Sequence, residues 1–202
     1  MIFSLVTYLI KEDYKLVREI QKEISEITGS KKCLIDWLPH ITVGDAIIIN
    51  ENKLPSILQE LQELANQQKM INAKINGFGN VNDWKGAVAG KVTPYVIWLN
   101  VEINHELVDL FNRLRDNITS GYETYLPRTF NYAPHITIAF FDLDVEGYKK
   151  GLDYLRNKSF EREFEISHVS LVECYGEVNM TSAEYMRYYF NLSSIPQEYK
   201  HS

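Results

Sequence analysis

The sequence predicts an α+β fold of two similar lobes, whose two antiparallel sheets face a central cleft with helices outside. Three observations predict it. Strand-like and helix-like stretches follow one another in the same order in the two halves of the chain. One eight-residue pattern recurs at the same slot of each half. The 202 residues, 45% hydrophobic and 12% aromatic, suit a single bilobal domain with a packed core. The halves divide near residue 92, giving lobe one about 1–92 and lobe two about 93–202, with Lys91 to Pro94 as the candidate linker.

Residues 2–10, rich in Ile, Val and Tyr, read as a strand. Residues 12–28 read as a helix, because Leu16, Val17, Ile20, Ile24 and Ile27 fall on one face and Gly29 stands where a C-terminal cap belongs. A β-branched strand is expected over 40–49, then a helix over about 54–68 with Pro55 in its first turn. Strands near 70–79 and 86–92 complete the first half. The second half runs strand 95–103, helix 105–118, a loop over 119–134, strand 135–140 and a helix over 144–156 capped by Asp144. Strands near 161–174 and 186–192 close it. Two such units suggest two layers of sheet with helices packed behind them.

Charge narrows the partners. The formal net charge is −6; residues 1–100 carry 11 basic and 11 acidic side chains, and residues 101–202 carry 10 and 16. Long duplexes are held by basic surfaces, so this balance argues against an extended nucleic-acid groove and leaves room for a small phosphate-bearing ligand. Cys33 and Cys174 form no CxxC pair and read as free thiols. The apolar start, Met1 to Ile10, runs straight into Lys11, Glu12 and Asp13 and reads as a buried strand, not a signal peptide. The longest aliphatic run, Ala46 to Ile49, is too short to span a bilayer. A cytoplasmic monomer with no membrane association is expected.

The repeat is sharpest at Trp37-Leu38-Pro39-His40-Ile41-Thr42-Val43-Gly44 and Tyr132-Ala133-Pro134-His135-Ile136-Thr137-Ile138-Ala139. Chance recurrence of a given tetrapeptide such as Pro-His-Ile-Thr falls below roughly one in a thousand at average residue usage. On a strand, side chains alternate faces, so His40 and Thr42 share one face and Ile41 and Val43 the other; His135 and Thr137 are divided from Ile136 and Ile138 in the same way. A proline cannot donate to a sheet ladder, so Pro39 and Pro134 fit positions at a strand's start. Two histidines facing one phosphate supply an acid and a base, since imidazole titrates near neutrality. Threonine hydroxyls can donate to the non-bridging oxygens, where charge grows in the transition state. The scheme demands no metal, and no ligand cluster for zinc accompanies the two histidines.

These paired His-x-Thr triplets, each on a strand of a duplicated α+β unit, resemble the 2H phosphoesterase superfamily, and in particular its 2′-5′ RNA ligase-like branch. The resemblance covers essentially the whole chain by element order and is specific at the two motifs. It implies a bilobal fold, a metal-free and cofactor-free site made by His40, Thr42, His135 and Thr137, and substrates with 2′,3′-cyclic phosphate or 2′-5′ phosphodiester bonds. An RNA end or a nucleotide with a 2′-linked phosphate would be the partner, hydrolysed or reversibly ligated. A nucleotide-binding module that keeps the cleft without turnover is the alternative.

Other residues carry weaker signals. Trp37 and Tyr132 can stack a base or ribose, or equally wall the core. Arg128, in the loop before His135, can pair with a phosphate through its planar fork. His105 reads as a surface residue at a helix start. His168 reads as structural, within reach of the cleft. Glu161, Glu163 and Glu165 alternate along one strand and read as a solvated face.

Overall fold

The computed structural model describes residues 1–84, 93–124, 132–174 and 187–193. Two antiparallel sheets dominate it. The first contains β1 (Ile2–Tyr8), β2 (His40–Thr42), β3 (Ile47–Ile48), β6 (Glu123–Thr124), β9 (His168–Cys174) and β10 (Arg187–Asn191), in the order β10-β9-β1-β3-β6 with β2 also on β1. The second runs β7-β5-β4-β8, from β7 (His135–Ala139), β5 (Val96–Val101), β4 (Ile71–Val81) and β8 (Glu161–Ile166). Five α-helices accompany them among the described residues: α1 (Lys11–Thr28), α2 (Lys32–Asp36), α3 (Leu54–Gln67), α4 (His105–Arg113) and α5 (Val145–Leu155).

The duplicated α+β architecture with two antiparallel sheets is thus present, but the sheets are not drawn from consecutive halves of the chain. Strand β4 pairs with β5 and β8 in the second sheet, while β9 leaves the second half to pair with β1. Each unit lends strands to the other's sheet, so the midpoint near residue 92 does not separate one sheet from the other. Helix α1 likewise packs on α5 and on β7, across the same midpoint.

Local chemistry explains where the elements begin and end. Helix α1 stops at Gly29, whose φ of +78° is the left-handed region that favours glycine. Asp144 caps α5 by accepting from the Gly147 N–H at 2.7 Å, and Asn104 caps α4 by accepting from the Leu107 N–H at 2.8 Å. Pro55 sits in the first turn of α3, where a missing N–H costs nothing.

Several expected boundaries are corrected. The run 40–49 is two short strands, because Asp45 between them is buried and accepts a hydrogen bond from the Thr119 hydroxyl at 3.2 Å. The run 161–174 is also two strands, β8 and β9, and they enter different sheets. Lys32–Asp36 adds a short helix between α1 and β2, its approach anchored by Asp142, which accepts from the Lys31 and Lys32 N–H groups. Helix 105–118 is α4 followed by a wider π-type turn over Leu114–Ile118. The strand expected near 86–92 lies outside the described residues.

The core lies behind each sheet. Phe3, Leu5, Ile41, Val169 and Leu171 fill the rear of the first, and Ile71, Ile75, Leu99, Ile136 and Phe164 that of the second. Cys33 is buried with a free thiol, and burial pushes its pKa up. Glu161, Glu163 and Glu165 are exposed, as expected of a solvated face. No helix among the described residues is long and apolar enough to cross a membrane.

Candidate active site

Strand register fixes what the front of the first sheet presents. Tyr8 lies opposite His40 and Val6 opposite Thr42 on the β1–β2 pair, while Ile41 pairs with Thr7 on the rear. His40 and Thr42 therefore share a face with Tyr8, as the strand spacing requires. On the second sheet His135 lies opposite Asn100 and Thr137 opposite Trp98. The two motif strands come together: Cα atoms of β2 and β7 approach within 8 Å.

The two imidazoles are held in the same way. His40 Nδ1 is 2.7 Å from the Leu38 carbonyl oxygen, and His135 Nδ1 is 2.8 Å from that of Ala133. Each carbonyl belongs to the residue just before the proline, which is biased to extended backbone. A carbonyl can only accept, so Nδ1 carries the hydrogen in both rings. Nε2 is left as the nitrogen without a hydrogen in each neutral imidazole.

Their surroundings differ. His40 is buried at 7% exposure, whereas His135 is open to solvent. Burial lowers the His40 pKa to about 4, against the raising effect of its bond to Leu38; the charges of His135 and Arg187 lower it further. The wall behind His135 also lowers its pKa, by loss of solvation, while the bond to Ala133 opposes the shift. The threonines show the reverse pattern, Thr42 exposed and Thr137 buried.

Each motif is braced by residues of the other. Tyr132 donates from its hydroxyl to the Thr42 carbonyl at 3.1 Å, and its ring stacks on Phe111 at 4.2 Å. Trp37 lies 4.9 Å from His40 and 5.0 Å from Phe141, just beyond the second motif. Phe141 has φ of +62°, a strained conformation for a bulky residue, and strain of this kind clusters at functional sites. Trp37 and Tyr132 are thus both at the site, engaged with its frame. Arg128 lies outside the described residues.

Sequence reasoning missed several neighbours. Trp98 lies 5.4 Å from His135, and its Nε1 donates to Asn100 Oδ1 at 2.8 Å. Gly79 is opposite Trp98 on β4; a Cβ there would stand 2.3 Å from Trp98 Nε1 and 2.5 Å from Asn100 Oδ1. Glycine is therefore what admits the indole and the amide across that strand. Tyr8 lies edge-on to His40 at 6.0 Å. His168 is buried, its Nε2 accepting the Tyr8 N–H at 3.3 Å, which is a structural task beside the cleft. His105 is an exposed helix-start residue 3.1 Å from Asp109. Alternation alone would have flagged Tyr8, had the partner of β2 been known; nothing local marks Trp98 or Gly79. Among the described residues no group of three or more His, Cys, Asp or Glu side chains could hold a metal ion.

The chain is similar to known proteins in sequence and in fold. Residues 16–177 match the 2′-5′ RNA ligase superfamily. A protein of Geobacillus sp. (strain WCH70) named as a phosphoesterase is 29% identical over 133 residues, covering 65% of this chain and 68% of the relative. TT0787 of Thermus thermophilus has a similar structure, with a TM-score of 0.68 at 18% identity, covering 95% of this chain and 98% of that one. LigT of E. coli, in its complex with 3′-AMP, gives a TM-score of 0.57 at 14% identity, covering 95% and 94% of the two chains. Its complex with NADP+ gives 0.58 at 14% identity, covering 95% and 96%.

Proposed function

The chain belongs to the 2′-5′ RNA ligase superfamily, and from that premise we propose that it is a metal-independent phosphodiesterase, or reversible ligase, acting on 2′,3′-cyclic phosphate or 2′-5′ phosphodiester bonds of RNA ends or nucleotides. The observation that carries this reading is the matched pair of Nδ1–H donors at His40 and His135, each tied to the carbonyl two residues before it. Both rings are thereby held with Nε2 as the one atom able to take or give a proton. A binding module has no need of that.

In hydrolysis, His40 acts as the base: buried and neutral at pH 7, its Nε2 takes the proton from the attacking water. The water oxygen bonds to phosphorus as the bond to a ribose oxygen breaks. His135, open to solvent, is the acid; its Nε2 gives a proton to the departing oxygen, and an adjacent phosphate favours the protonated ring. Thr42 and Thr137 donate to the non-bridging oxygens. Ligation is the same sequence with a ribose hydroxyl in place of the attacking water, so that the cyclic phosphate opens as the new ester forms, and cleavage of that ester is its reverse. The complexes of E. coli LigT with 3′-AMP and NADP+ support a nucleotide as ligand.

The test is turnover of 2′,3′-cyclic nucleotides and 2′-5′-linked dinucleotides in the presence of EDTA. Turnover undiminished by chelation is expected. Activity lost on chelation and restored by zinc or manganese would replace this reading with a metallohydrolase. Tight binding without any turnover would replace it with a non-catalytic nucleotide-binding module.

A further inference from the structure

The first sheet carries a cation that the two-histidine mechanism does not use. Arg187 lies on β10, the edge strand, opposite Val172 of β9; Val172 in turn lies opposite Ser4 of β1. That register places Arg187 on the same face as Tyr8 and His40. An arginine on an edge strand ordinarily extends outward to water. This one turns inward across β9, and its guanidinium carbon lies 5.6 Å from the centre of the Tyr8 ring on β1. The Tyr8 ring is in turn 6.0 Å from the His40 ring on the next strand. The guanidinium is therefore held on the front of the sheet, one strand short of His40.

We propose that Arg187 binds a second phosphate of the substrate, next to the one that reacts between His40 and His135. The preferred substrates are then nucleotides or RNA ends bearing a neighbouring phosphate, not mononucleoside cyclic phosphates. This rests on the nucleotide reading above and narrows its substrate class. Arginine suits the task because its planar fork matches phosphate oxygens and keeps its charge at all relevant pH. Its position one strand from His40 suits a neighbouring phosphate better than the one whose oxygens the imidazoles serve. The same position lets the Arg187 charge act at His40, where it adds to the larger effect of burial in favouring the neutral ring. In a chain of net charge −6, a cation turned inward beside the site also gives anions a local point of attraction that the surface as a whole does not.

The test uses two unreactive probes, adenosine 2′-monophosphate and adenosine 2′,5′-bisphosphate, titrated by calorimetry into the wild-type chain and into Arg187→Gln and Arg187→Lys. The wild type should prefer the bisphosphate by about tenfold, the effect of one charge-assisted contact. Arg187→Gln should bring that ratio close to one, and Arg187→Lys should keep part of it. A melting curve for each variant separates lost folding from lost binding. If Arg187→Gln weakens both probes by the same factor, the guanidinium serves the reacting phosphate and the proposal fails. If the ratio is unchanged, Arg187 only packs on Tyr8 and the proposal again fails. Equal wild-type affinity for the two probes overturns the second-phosphate site alone, while absence of binding by both overturns the nucleotide reading itself.

Discussion

Gln21, fully buried in the middle of α1, donates from its side-chain amide to the carbonyl oxygen of Thr137 at 3.3 Å. The same nitrogen is 3.3 Å from the carbonyl oxygen of Trp37, three residues before His40. One amide therefore ties the strand of the second motif to the approach of the first. Arg18 orients it, donating to Gln21 Oε1 at 2.8 Å.

Replacing Gln21 with Leu should be costly out of proportion to its size. The change would strand the Trp37 and Thr137 carbonyls and leave Arg18 without one acceptor. Each unsatisfied buried group costs about 1–3 kcal/mol. Urea denaturation should show a loss of at least one such increment, and kcat should fall because both motif strands lose a common brace. A variant as stable as the wild type would show that the amide merely fills space.

The histidines should behave as a unit. His40→Ala and His135→Ala are each expected to reduce turnover by about 10²–10⁴. The double variant should lose far less than the product of the two, since removing either partner already disables the proton relay. Steady-state kinetics on a 2′,3′-cyclic nucleotide gives the comparison. Near wild-type turnover in either single variant would exclude the paired mechanism.

Thr42→Val and Thr137→Val should lower kcat by about 10² or more with little change in KM, because their hydroxyls are assigned to oxygens whose charge rises in the transition state. The two differ in setting, Thr42 exposed and Thr137 buried. The kinetics of Thr137→Val are therefore read beside its own melting curve, whereas Thr42→Val should leave stability unaltered. Raised KM at constant kcat in both would reassign the threonines to substrate binding.

How much of this was legible in the sequence follows from how local each signal is. The Pro-His-Ile-Thr repeats, the caps at Gly29 and Asp144 and the apolar faces of α1 and α3 depend on neighbours within a few residues, and they were readable. The exchange of β4 and β9 between sheets was not: Ile71, Ala73 and Ile75 alternate correctly for either sheet, so only tertiary pairing decides. The unequal burial of His40 and His135 was equally hidden, because nearly the same octapeptide carries both and the difference comes from the strands around them. Trp98, Gly79, Gln21 and Arg187 reach the site from β5, β4, α1 and β10, far from either motif in sequence.

Gly79→Ala tests the least legible of these neighbours. The added methyl would stand 2.3 Å from Trp98 Nε1, a distance that forces the indole to move. Overpacking of this kind costs about 1–3 kcal/mol. Because Trp98 flanks His135, the shift should also change turnover, and Trp98→Phe combined with Gly79→Ala should recover part of the stability by removing the clashing nitrogen. Unchanged stability in Gly79→Ala would mean that the sheet yields at β4 without disturbing the indole.

Both stability and turnover depend on pH through His40 and His135. The His40 pKa is lowered from 6.5 to about 4 in the folded chain, mainly by burial. Between those values the unfolded chain binds a proton that the folded chain does not, so stability rises with pH through this window. The contribution is complete above pH 6.5, declines as pH falls and is gone below about 4. The full difference is about 3 kcal/mol. Urea denaturation from about pH 7 to pH 4 should therefore show a steeper loss for the wild type than for His40→Asn, which cannot titrate. Catalysis should follow the same rings. His40 must be neutral to act as base, which sets the acid limb of kcat/KM near pH 4. His135 must be protonated to act as acid, and its lowered pKa sets the alkaline limb below the ordinary histidine value. In the substrate complex a bound phosphate favours protonated rings, so both limbs of kcat should move to higher pH. An NMR titration giving His40 an ordinary value near 6.5 would remove the basis for both profiles and would reopen the assignment of His40 as base.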